Sequence, residues 1–148
     1  MKRTCIAAAI GMTLALAAGT ASAAGDPWVG TWHRQGHDGA PDITLKVTSI
    51  AGGYTFSRKQ SDSPVEMAVP VIPDGHPHSA NGAMGPMTAT CQHADPRTIA
   101  CKLSMAGLQN ELRYALAADG KSLTDSESDP ELPGKPSTYT SHIVLQKQ

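Results

Sequence analysis

The chain has 148 residues, 40% of them hydrophobic but only 4% aromatic, and a formal net charge of −1. That length supports one compact domain and no more. Its 12 basic residues are balanced by 13 acidic ones and form no cluster, which excludes the basic footprint of a nucleic-acid binder.

The first 23 residues read as a targeting segment. Lys2 and Arg3 make a positive start, "IAAAIGMTLALAAG" is apolar but too short for a comfortable span, and Ala21-Ser22-Ala23 supplies a small-x-small cleavage pattern. A secretory signal peptide over 1–23, cut after Ala23, leaves a mature domain of 24–148. Cys5 has no small-residue lipobox around it, so no lipid anchor is read. Losing Lys2 and Arg3 leaves ten basic residues against thirteen acidic ones, a charge of −3. No later apolar run reaches spanning length, so a monomeric periplasmic or secreted protein without a membrane span is expected. Of three cysteines, Cys91 and Cys101 then remain, and an even pair in an oxidising compartment predicts a disulfide.

The mature chain opens with "GDPWVGTWHR", which places both tryptophans four positions apart among only six aromatic residues. Apolar–polar alternation dominates the rest of the chain. Ile43, Leu45 and Val47 share one face of "DITLKVTS". After a Gly52-Gly53 turn, Tyr54 and Phe56 share a face of the next strand. "VEMAVPV" aligns Val65, Met67, Val69 and Val71, and Pro70, which cannot donate to a ladder, predicts an edge, bulged or short strand. "IPDGHPHSANGAMG" is too rich in Pro and Gly for regular structure and reads as a loop. "PMTATCQHADPRTIACKLSM" is the clearest hairpin. Met87, Ala89 and Cys91 share one face; Ile99, Cys101, Leu103 and Met105 share another. Pro96 presets the turn, so Cys91 falls opposite Cys101 on the buried side. Leu112, Tyr114 and Leu116 then meet Leu123 across Asp119-Gly120. "SDPELPGKP" is a second loop, and Tyr139, Ser141, Ile143 and Leu145 form the last inward set.

Eight or nine short strands joined mostly by tight turns predict an all-β, antiparallel up-and-down barrel, which removes sheet edges; a sandwich is the alternative. In the barrel, Trp28, Gly30, Trp32 and Arg34 lie on one side of the first strand. Gly30 permits a bend or close approach while the two indoles close the barrel end.

"GTW" (30–32), "PDGHPHSANG" (73–82), "DPRTIACKLS" (95–104), "AADGKSLT" (117–124) and "IVLQKQ" (143–148) occur in an order and spacing that resembles small exported bacterial lipocalin-like (calycin-type) proteins of unknown function. The similarity covers nearly all of the mature chain. It implies a lipocalin-like barrel outside the cytoplasm, with an apolar-ligand cavity as one option. "HRQGHDG" after Trp32 and the cysteine pair depart from the pattern. A second lipocalin signature of the Thr-Asp-Tyr kind is missing, so lipocalin ligand habits do not carry over.

The side chains that carry chemistry have plain structural readings beside functional ones. His33 with His37, and His76 with His78, have spacings that would complete a zinc or copper site if brought together. The simpler reading is a solvated loop and an outer strand face. Asp125 and Glu127 would point inward with Leu123 if their strand continued, and would then have raised pKa values or need a cationic or hydroxyl-bearing ligand. A strand that frays there, leaving both acids at a wet rim, is the simpler expectation. Met67, Met84, Met87 and Met105 either line a cavity or fill gaps in a small core. No nucleophile elbow, phosphate loop or zincin motif is present, so neither an enzyme nor a cofactor is expected. The leading expectation is non-catalytic binding of a small apolar or amphipathic molecule in the barrel, with Tyr54, Phe56, Met67, Met87, Met105, Tyr114 and Tyr139 as ligand contacts. The competing class is a periplasmic protein-binding module, resembling protease or lysozyme inhibitors, that acts through residues 73–86 and 128–137. Metal binding ranks third.

Overall fold

The computed structural model describes residues 25–82, 85–128 and 139–148. The signal-peptide reading over 1–23 lies outside the described residues. So does the second loop, except that Ser128 ends a strand.

Among the described residues ten strands form in sequence: β1 (Gly30–Arg34), β2 (Ile43–Ile50), β3 (Gly53–Gln60), β4 (Glu66–Val71), β5 (Asp74–Gly82), β6 (Gly85–Asp95), β7 (Thr98–Met105), β8 (Leu108–Leu116), β9 (Ser122–Ser128) and β10 (Tyr139–Lys147). They make one sheet in the order β4-β3-β2-β1-β10-β9-β8-β7-β6-β5. Every pairing is antiparallel. Consecutive strands adjoin throughout, save at one place. β4 and β5 are the two edges, and the sheet curls until they approach without pairing. The result is a nearly closed lipocalin-like barrel with a seam between β4 and β5, rather than two packed sheets.

The count exceeds the expected eight or nine because residues 74–82, 85 and 86 of the expected loop are strand. They supply β5 and the start of β6, where Pro77 pairs with Thr90, Ser79 with Thr88 and Asn81 with Pro86. β5 bonds to a neighbour on one side only, so a missing proline N–H is tolerated there. The register shifts between Asp74 and Pro77, where Gly75 adopts a positive φ of 77°; such bulges blunt an exposed edge. Pro70 lies in the opposite edge strand, β4.

Alternation places the core. Ile43, Leu45, Val47, Phe56, Val69, Val71, Ile99, Leu112, Tyr114, Leu123 and Leu145 are all buried. The β6–β7 register sets Met87 opposite Met105, Ala89 opposite Leu103 and Cys91 opposite Cys101. The two cysteines are joined, with Cα atoms 4.0 Å apart, and lie on the buried side.

Residues 26–28 fold over one end of the barrel. Trp28 and Trp32 are 4% and 0% exposed, and the Trp32 indole N–H donates to the Trp28 carbonyl at 3.1 Å. Lys147 donates to the Pro27 carbonyl at 3.1 Å, and its ammonium stands 5.0 Å from the Trp32 ring centre, a favourable cation–π distance. Tyr54 donates to Asp26 at 2.8 Å. Burial, with that hydrogen bond, pushes the phenol up to about 12. Gly30 adopts φ +146°, and a Cβ there would stand 3.0 Å from the Lys147 stem. The other end of the barrel, the far end, carries the β1–β2, β3–β4 and β7–β8 connections.

Candidate functional site at the far end of the barrel

The middle of the barrel is filled. Phe56 of β3 and Tyr114 of β8 stack with ring centres 4.1 Å apart, although those strands stand five places apart in the sheet order. Opposite walls therefore touch through aromatic side chains. Trp28 and Tyr54 extend this cluster toward the tryptophan end, with Trp28 6.2 Å from both Tyr54 and Phe56.

Beyond Phe56 and Tyr114 the interior changes character. The strand β9 does not fray after Leu123. Pairing with β10 (Asp125 to Ile143, Glu127 to Ser141) and with β8 (Asp125 to Tyr114, Glu127 to Leu112) carries it to Ser128. Because side chains alternate along a strand, both acids then face inward with Leu123. The wet-rim expectation is thus corrected: the Asp125 side chain is 3% exposed and that of Glu127 is 32%.

Arg58 of β3 reaches these acids from the facing wall. Its Nη1 lies 3.4 Å from both Asp125 Oδ2 and Glu127 Oε2. Asn110 of β8 donates to Glu127 Oε1 at 3.1 Å. Asp125 Oδ1 is buried with no hydrogen-bond partner. Burial pushes the Asp125 carboxyl up to about 6; Arg58 opposes that rise and Glu127 adds to it. Burial also raises the Tyr114 phenol well above its ordinary value, and Asp125 reinforces the effect. Sequence reasoning missed Arg58. Its place on the Tyr54–Phe56 face is readable from alternation, but an isolated "SRKQ" names no partner.

Arg58 and Glu127 open onto a pocket of about 410 Å³, completed by Gln60, Ser63, Val65 and Met67. Ser63 and Val65 belong to the β3–β4 connection, and Met67 packs against the core from β4. A second depression of about 350 Å³ near the β5–β7 wall is lined by Met87 with Ser79, Ala80 and Asn81 among others. Another, also about 350 Å³, lies by the outward-facing Thr90, Gln92 and Lys102 of β6 and β7.

The expected ligand contacts therefore separate. Tyr54, Phe56 and Tyr114 belong to the packed aromatic cluster. Met67 lines the far-end pocket, while Met87 and the half-buried Met105 face each other across β6 and β7. Tyr139 begins β10, but its side chain lies outside the described residues, as does Met84. The histidine pairs are not brought together. His33 is on β1 and His37 in the β1–β2 connection, whereas His76 and His78 are on the edge strand β5. The His78 ring is engaged by Asp74 at 2.9 Å, and Asp74 is held below the usual carboxylate range by the His76 backbone N–H and then by His78. No group of three or more metal-ligating side chains forms among the described residues.

The chain matches no protein-family profile and no curated protein sequence. Its fold is shared by solved structures of very different sequence. Secretory abundant heat soluble protein 4 from Ramazzottius varieornatus superposes with a TM-score of 0.55 at 15% identity, over 84% of this chain and 96% of that one. The REP1-NXSQ fatty acid transporter gives 0.53 at 7% identity, over 81% and 95%. A mutant of the fluorescent protein UnaG gives 0.54 at 11% identity, over 82% and 96%. These likenesses establish the class as a lipocalin-like antiparallel barrel.

Proposed function

We propose that this is an exported, non-catalytic binding protein, released as a monomer by cleavage after Ala23, that holds a small amphipathic molecule at the far end of its barrel. The observation that carries the reading is the Arg58–Asp125–Glu127 cluster beneath the 410 Å³ pocket. Charged groups turned into a barrel cost desolvation energy that apolar residues of similar size would avoid. A packed core has no use for them, whereas a pocket with an apolar wall and a few convergent polar groups is the common form of a small-molecule site. Val65 and Met67 supply the apolar wall, and Gln60 and Ser63 the polar rim. One structural neighbour is described as a fatty acid transporter, which supports ligand holding as a use of this barrel type. The disulfide supports export.

The protein-module reading expects a filled interior with protruding loops. The filled middle agrees with it, but residues 74–82 are a paired strand. Native mass spectrometry of protein exported to a periplasm and purified without detergent tests the binding reading. A reproducible added mass of a few hundred daltons, lost from a Met67→Trp variant that fills the pocket, is expected. A bare mass in every preparation, together with no uptake of added amphiphiles, overturns it.

A further inference from the structure

The same pocket carries information about the head group of its occupant, an inference that rests on the binding reading above. Arg58 and Glu127 line it, and the buried Asp125 shares Arg58 with Glu127, two acids against one base. Arg58 divides a single nitrogen between the two carboxylates at 3.4 Å each, well beyond the 2.7–2.9 Å of a strong charge-assisted bond. Glu127 receives a neutral donor from Asn110, and Asp125 Oδ1 receives none although its side chain is 3% exposed. Arg34, on the same face of β1 as Trp32, does not help; it donates to the Pro41 carbonyl at 3.0 Å and forms no ion pair among the described residues. Tyr114 faces Asp125 from β8 and adds no positive charge.

We infer that the far-end pocket takes an amphipathic molecule with a cationic head, a protonated amine, seated against Glu127 with its tail along Val65 and Met67. An anionic head would have to win Arg58 from its partners. That would leave two carboxylates two residues apart on one strand face with no counter-charge, an arrangement that strongly disfavours ionisation of both. A neutral head leaves the cluster with one excess negative charge. A monocation at Glu127 balances it while Arg58 stays in place. The raised Asp125 carboxyl agrees: Arg58 alone does not compensate the buried acids.

Isothermal titration calorimetry with decylamine, decanol and decanoate at pH 7.5 tests this on the mature, oxidised protein. Decylamine is expected to bind about 10-fold or more tighter than decanol, with decanoate weakest, as fits one charge-assisted contact in a partly buried site. Glu127→Gln should bring decylamine close to decanol. Asp125→Asn, isosteric and relieved of a buried charge, should also weaken decylamine and serves if the first variant does not fold. Decanoate binding tighter than decylamine, or decylamine and decanol binding equally, overturns the cationic head while leaving the binding reading standing. No heat from any of the three overturns both.

Discussion

At the scale of single residues, Asp125 concentrates the tension in this molecule. Its carboxyl is raised from 3.8 to about 6 in the fold, so the folded protein holds a proton there that the unfolded chain releases. Its favourable contribution is therefore complete below pH 4 and is lost as the pH rises through about 6. A shift of that size corresponds to roughly 3 kcal/mol at most. Asp125→Asn should accordingly gain up to roughly 3 kcal/mol on wild type between pH 4 and pH 7, read from paired urea denaturations at several pH values. A difference between the two proteins that stays flat with pH would contradict this. Gly30 makes an opposite prediction. At φ +146°, with the Lys147 stem 3.0 Å from where a Cβ would stand, Gly30→Ala should destabilise by about 1–3 kcal/mol. The thermal midpoint should fall accordingly, and the Lys147 contact with Pro27 should loosen. Alternation alone could place Asp125, Glu127 and Arg58 on inner faces. Their meeting was not legible, because Arg58 lies 67 and 69 residues before its partners and no local rule pairs β3 with β9.

At the scale of elements, hairpins obey local chemistry and edges do not. The Cys91–Cys101 hairpin was legible because a turn at Asp95-Pro96-Arg97 determines which residues oppose one another, despite a register shift between His93 and Asp95. Closing a loop with a sequence separation of 10 stabilises by roughly 2–3 kcal/mol in the chain-entropy account. Replacing both cysteines by Ala should lower stability by about that much or somewhat more, since the pair is also buried; chemical denaturation measures it. The β7–β8 turn offers a gain instead. Ala106 and Gly107 adopt positive φ values of 51° and 80°, the left-handed pair of a tight hairpin turn. Ala tolerates that conformation less well than Asn. Ala106→Asn should thus raise stability by about 0.5–1 kcal/mol, and an unchanged or lowered denaturation midpoint would refute the turn argument. β5 was not legible as a strand, because Gly and Pro density signals a loop only where both sides of a strand must bond. At a seam one side is free, and composition cannot announce which segment will lie there.

At the scale of the whole molecule, the sheet is closed by β1 with β10 and left open between β4 and β5. Strands bonded on both sides open only with wider loss of structure, whereas edge strands can open locally. Hydrogen exchange should therefore show β4 and β5 exchanging first, and β1, β2 and β7 to β9 last. A ligand in the far-end pocket should slow β4, through Met67, more than β5. Uniform exchange around the barrel would argue against the seam as the point of local opening.

By itself the sequence determined an all-β chain with alternating inner faces, tight turns at known places and a hairpin disulfide. These properties depend on neighbours within a few residues, where backbone sterics and the period of two decide. Only the tertiary structure decided that ten strands form among the described residues, that β4 and β5 are left unpaired with each other, and that the middle is packed by Phe56 against Tyr114. It also decided that β9 continues far enough to turn two carboxylates toward Arg58. Each of these depends on which distant strands meet and how far the walls approach, and that is set by the packing of the whole core rather than by any local run of residues.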